Sequence, residues 1–152
     1  MNHINRVHVV SKRSSITLVL ALAIIAISSC SPKKNDPSPK DVAKGFLTFG
    51  TWKLDNLQVD NVDQTSLFTG MMLSFAAGSY TTTNGKAPEW PASGTWLFTD
   101  DKGKSINRDG GLMISIDQLT QSTLVLSFAW TSTYTGGRVS SIGGLNVFTF
   151  KR

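Results

Sequence analysis

Histidine is confined to His3 and His8, and cysteine to Cys30. A single thiol excludes an intrachain disulfide, and it cannot supply a CxxC redox pair, a zinc knuckle or an iron–sulfur cluster. If the first 29 residues are removed, no imidazole remains, which excludes Ser-His-Asp catalysis, histidine acid–base chemistry and every histidine-ligated metal site. Glutamate occurs once, at Glu89. A glycosidase pair would need that carboxylate to face an aspartate across a cleft, and nothing in the spacing brings one there. In the body of the chain no serine has a lysine at the SxxK spacing, so serine has no evident activating base. These absences point to a non-enzyme with no metal and no cofactor, in a chain whose 152 residues are enough for one domain.

What is present begins with an address. Arg6, Lys12 and Arg13 form a cationic head, and Ile16 to Ile27 follow as an almost unbroken apolar run. That is the layout of a secretory signal, and a helix over the run would rise only about 18 Å, short of a bilayer's hydrocarbon core. Ile27-Ser28-Ser29-Cys30 resembles the lipobox of bacterial lipoproteins. The resemblance implies a signal peptide over 1–29, cleavage that leaves Cys30 as the new N-terminus, and a covalent lipid (diacylglycerol on its sulfur, palmitate-type acylation on its amine). It also implies an outer-membrane location. Surface-exported lipoproteins often carry acidic residues after the cysteine, whereas Lys33 and Lys34 stand here, which favours the periplasmic leaflet over the cell surface.

Charge follows the same division. The whole chain carries 15 Lys+Arg against 10 Asp+Glu, but Phe46 to Arg152 balances at eight against eight. The basic excess belongs to the leader and the stretch after Cys30, so the body lacks the cationic stripe that phosphate backbones require, and nucleic acid is not expected as a partner. Residues 30–45 carry three prolines and read as a lipidated cysteine with a flexible tether.

From Gly50 onward, threonine, aromatic and β-branched residues alternate with polar ones between turn signals. Strands are expected over 50–59, 71–75, 79–83, 94–99, 104–107, 112–117, 124–130 and 145–151, with a turn at Asp60 to Asp63 and a tight hairpin at Asn84-Gly85. No segment reads as a long amphipathic helix. The fold class is all-β, an antiparallel up-and-down meander of about eight strands over residues 46–152, and closure into a barrel would remove two sticky edges.

Gly50-Thr51-Trp52, at the start of the first strand, resembles the GxW signature of lipocalins, in which the tryptophan packs across the closed end of the barrel. The resemblance implies a lipocalin-like domain of the kind carried by many Gram-negative lipoproteins. Gly94-Thr95-Trp96 repeats the pattern, so Trp52 and Trp96 are the candidates for packing the barrel end. Thr99-Asp100 stands for the family's Thr-Asp pair in a middle loop, and Lys151 or Arg152 for a late arginine stacked on the first tryptophan.

Trp90, held between Pro88 and Pro91, is either exposed at the barrel mouth or folded back as a plug over one end. The stretch Thr131 to Gly144 is the longest gap between strands, and its paired glycines suit either a mobile flap or an extended hairpin arm. Trp90, Tyr134 and Arg138 are therefore the candidate ligand-binding residues for a small apolar or amphipathic molecule. The other partner class is an envelope protein docked onto a barrel with a filled interior. Asp100, Asp101 and Asp109, interleaved with Lys102, Lys104 and Arg108, read as solvated hairpin ends rather than a calcium site.

Overall fold

Period-two alternation forces each strand to present one face inward, and in this chain the inward faces meet around a closed cylinder. The computed structural model describes residues 36–131 and 143–152. The strands are β1 (Thr51–Val59), β2 (Val62–Asp63), β3 (Met72–Ala76), β4 (Ser79–Thr83), β5 (Ser93–Phe98), β6 (Ser105–Arg108), β7 (Leu112–Leu119), β8 (Thr123–Trp130) and β9 (Gly144–Lys151). From β3 to β9 every strand pairs antiparallel with its sequence neighbour, and β1 pairs with both β3 and β9. Eight strands thus close into a barrel, with the two-residue β2 folded onto the end of β1. The closing seam runs from Lys53 opposite Lys151 to Val59 opposite Asn146, with a register shift between Leu54 and Asn56. Shifts of this kind sharpen local twist, which a small barrel needs to close.

All eight expected strands are present. The expected turn at Asp60 to Asp63 is tighter than anticipated: Asp60 and Asn61 both take positive φ, and the chain reverses at once so that Val62 pairs with Val59. Two consecutive left-handed residues are the mark of a hairpin turn whose twist suits its strands. The expected Asn84-Gly85 hairpin is not a tight turn. Asn84 takes a positive φ, but β5 starts only at Ser93, and residues 84–92 form a loop. Pro88 and Pro91 explain this, because neither can donate to a strand ladder immediately after the turn.

The tether expected over 30–45 is corrected in its second half. Residues 39–48 form a helix, α1 (Pro39–Thr48), and the compact unit begins at Pro37 rather than Phe46. Ser38 caps the helix, its hydroxyl accepting from the Asp41 amide at 3.1 Å, and Pro39 occupies the first turn, where a missing N–H costs nothing. Ala43 and Leu47, four residues apart, are the buried face, and the helix packs against β3 and β7. Pro39, which suggests a linker by composition, serves by position as the first residue of the helix.

The interior is one continuous cluster, running from Leu47 and Trp52 at the helix end, through Leu73, Ile114 and Leu126, to Phe68, Trp90 and Phe128 at the other. Phe148 sits at its centre: it stacks with Phe128 at 5.7 Å and Phe150 at 6.1 Å, and meets Phe68 edge-on at 5.4 Å. Phe148→Ala would leave a cavity that three rings on different elements cannot fill. The expected cost is about 3–5 kcal/mol, read as a lower denaturation midpoint with an unchanged slope in urea.

Candidate functional site

Each end of the barrel has its own closure. At the end away from α1, the loop 84–92 folds inward and delivers Trp90 into the core, fully buried. Its indole meets Tyr80 at 5.7 Å, Phe148 at 6.0 Å and Phe128 at 6.2 Å, all edge-to-face. An exposed Trp90 at the mouth is therefore corrected: two flanking prolines make a loop stiff enough to drive its central side chain inward, and burying an indole is worth more than exposing it. The turn is held by Trp90 N donating to Lys86 O, and by Thr82 donating from its backbone to Ala92 O and from its hydroxyl to Pro91 O.

Arg108 fastens this loop from β6, the strand paired with β5. It follows Ile106 by two residues in β6, so alternation points it inward, and it is 4% exposed. Its guanidinium donates through Nη2 to Pro88 O at 3.0 Å and through Nη1 to Glu89 O, and it lies 5.2 Å from the centre of the Trp90 ring. Its Nε is 3.2 Å from Asp109 Oδ2, the atom that also accepts from the Tyr80 hydroxyl at 2.8 Å. The other carboxylate oxygen, Oδ1, accepts from Thr95 N. Burial pushes the Tyr80 phenol well above its ordinary range, and the hydrogen bond to Asp109 adds to the effect. Burial also lowers the Arg108 pKa, against the pull of Tyr80 and Asp109, yet a guanidinium stays charged. With Arg108 and Tyr80 buried and Asp109 reaching the surface, this set binds protein to protein. Its donors are directed at the chain's own carbonyls and carboxylate, so it acts as a latch.

The helix end is closed by stacking. Trp52 is fully buried, and its Nε1 donates to Leu47 O of α1 at 3.0 Å. The Arg152 guanidinium lies 3.8 Å from the centre of the Trp52 ring and 5.4 Å from that of Phe49, and its Nη2 donates to Phe46 O at 3.2 Å. Of the two late cations, Arg152 is thus the one on the tryptophan, while Lys151 turns outward and donates to the Thr123 hydroxyl. Trp96 closes the same end, its Nε1 shared between Ala76 O and Ser79 O in the β3–β4 turn.

The two GxW glycines serve different needs. Gly50 has φ +85°, a left-handed entry into β1 beside Arg152. Gly94 leaves the space into which Tyr80 and Asp109 reach, and any Cβ there would collide with both.

Thr99-Asp100 also lies at the helix end, in the β5–β6 turn. The Asp100 carboxylate accepts from the backbone of Lys102 and Lys104, which holds its pKa below the usual range, and Lys40 reaches Asp101 at 3.1 Å. Asp109 sits at the opposite end of β6 from this turn, so the three aspartates are not brought together. Cys30, Tyr134 and Arg138 lie outside the described residues.

Outside the barrel end, Val42, Gly45, Phe46 and Phe49 of α1 and its C-cap line an apolar groove with Gln121 and Arg152, and Phe49 is 76% exposed. The chain matches no protein-family model and no curated protein sequence.

Sequence reasoning placed Trp52 and Trp96 at one end but missed the latch. The signal was the phase of Arg108, in step with Ile106 on a strand whose other inward positions are apolar. Removing the charge with Arg108→Met should cost about 3 kcal/mol, because two loop carbonyls lose their donor and Asp109 its ion-pair partner, and acrylamide quenching of tryptophan emission should rise as the loop loosens. Tyr80 supplies a pH test. Its pKa is raised in the folded state, so its contribution is intact below the unfolded value of 10.0 and drains away as pH climbs above that. Tyr80→Phe should flatten the alkaline loss of stability above pH 10.0 while lowering stability at neutral pH; an unchanged slope of melting temperature against pH counts against this assignment.

Proposed function

We propose that the protein is a lipid-anchored, non-enzymatic, lipocalin-like barrel of the bacterial cell envelope that works as a rigid structural or interaction module, with no small-molecule cargo in its interior. The observation that carries this reading is Trp90, which occupies the position where a ligand would enter a lipocalin-type lumen and is locked there by Arg108. An apolar ligand at the mouth, the reading favoured by the sequence, would have to displace a fully buried indole and leave a buried guanidinium without its carbonyl acceptors, at a cost of several kcal/mol before any contact is gained.

The lipocalin assignment is supported by the Arg152–Trp52 stack beneath a capping helix, which matches the arrangement the GxW resemblance implies. The anchor is supported by the lipobox-like run that ends at Cys30. A cationic stretch after that cysteine favours the periplasmic face of the outer membrane.

Two measurements test the reading. Metabolic labelling with palmitate should mark the wild-type chain and leave Cys30→Ser unlabelled. Native mass spectrometry of the unlipidated Cys30→Ser protein, purified without detergent, should return the bare polypeptide mass; a stoichiometric small molecule surviving purification would restore the carrier reading.

A further inference from the structure

The helix that closes the barrel has a second apolar stripe. Ala43 and Leu47 face the barrel, while Val42, Phe46 and Phe49, spaced four and three residues apart, form the wall of the open groove at its side. Phe49 is the most exposed of the large hydrophobic side chains, and Val42 is also exposed. Cations border this stripe. Arg152 lies over Phe49, and Lys53 and Lys151 stand directly opposite each other across the β1–β9 seam. Like charges in direct cross-strand register are destabilising, and among the described residues neither lysine has an ion-pair partner. An anionic surface would relieve that repulsion while an adjoining apolar layer received Phe49.

We infer that this end of the barrel lies on the bilayer, with Phe49 inserted at the interface and Lys53 and Lys151 on anionic lipid headgroups. The inference rests on the reading of Cys30 as the lipid anchor, because chain length then selects the occupant. Eight residues, Ser31 to Ser38, join the lipidated cysteine to α1. As a random coil, eight residues would span about 16 Å. Strands such as β7 and β8, with eight residues each, run about 26 Å, so the Trp90 end is carried away from the membrane when the helix end meets it. Basic side chains beside aromatic ones are what such a surface selects.

The lipidated protein provides its own test, since acylation of Cys30 leaves no free thiol. Gly45→Cys and Gly111→Cys place single reporters at opposite ends of the barrel, both at positions where a side chain meets nothing within 4 Å. Each is labelled with an environment-sensitive fluorophore and reconstituted in phosphatidylcholine vesicles with or without phosphatidylglycerol, with spin-labelled lipid as quencher. Emission at 45 should be quenched and blue-shifted in anionic vesicles, and emission at 111 should not. Lys53→Glu converts the like-charged cross-strand pair into an opposite one, so the fold is not endangered, yet the docked population should fall about fivefold. Phe49→Ser should lower it further. Equal quenching at both positions in protein that floats with the vesicles would overturn the docking alone. Protein that fails to float and carries no acyl mass would overturn the anchor and the docking together. Shielding of position 45 that grows with protein density in neutral vesicles would assign the stripe to a second copy of the chain, and the bilayer contact would be refuted.

Discussion

The pairing of β1 with β9 is the constraint from which the remaining features follow. It joins the two chain ends of the domain, removes both open edges, and fixes a register in which Lys53 faces Lys151 and Val59 faces Asn146. Because β9 ends where β1 begins, Arg152 is delivered onto Trp52 without any dedicated loop, and the same guanidinium reaches the carbonyl of Phe46 in the helix. One seam therefore positions the strand ladder, the tryptophan stack and the helical cap. It also fixes the direction of every inward side chain, since the side-chain period is two and a slip of one residue would turn Phe148 and Phe150 outward.

Filling follows from size. Short strands enclose little volume, and aromatic side chains from five different strands, together with Trp90 from a loop, occupy it with ring contacts between 5.1 and 6.5 Å. A core built from interlocked rings is close-packed and resists local opening, so the cost of admitting a guest is the cost of expelling part of the core. The Arg108–Asp109–Tyr80 set adds directional constraint: anchored on the buried guanidinium, it specifies one position for the loop it holds.

Strand order was readable because alternation is strong wherever one face is buried; Leu124, Leu126 and Phe128 in β8, or Met71, Leu73 and Phe75 around β3, declare their inward face directly. Three features were hidden, each for a physical reason. The helix was masked by composition, because Pro39 counts toward a linker in any tally yet favours a helix when it follows a capping serine. The loop 84–92 was masked by the local strength of Asn84-Gly85 as a turn signal, which says nothing about whether a strand resumes afterwards. Trp90 and Arg108 were masked because their environment is created by partners on separate strands, Tyr80 and Phe148 among them. Long-range contacts of this kind leave only a phase mark in the sequence, and Arg108 carried one.

The two closures differ in kind, and the difference bears on how such a barrel is used. At the Trp90 end the cation is buried and its partners are the protein's own carbonyls and carboxylate. At the helix end the cation is stacked between Trp52 and an exposed Phe49, with Lys53 and Lys151 facing each other beside it. A surface that keeps a large aromatic in water and sets like charges opposite each other bears a cost that a self-contained domain has no reason to retain. That cost is accounted for if the surface is completed from outside the chain, and the end that is incomplete is also the one that carries α1.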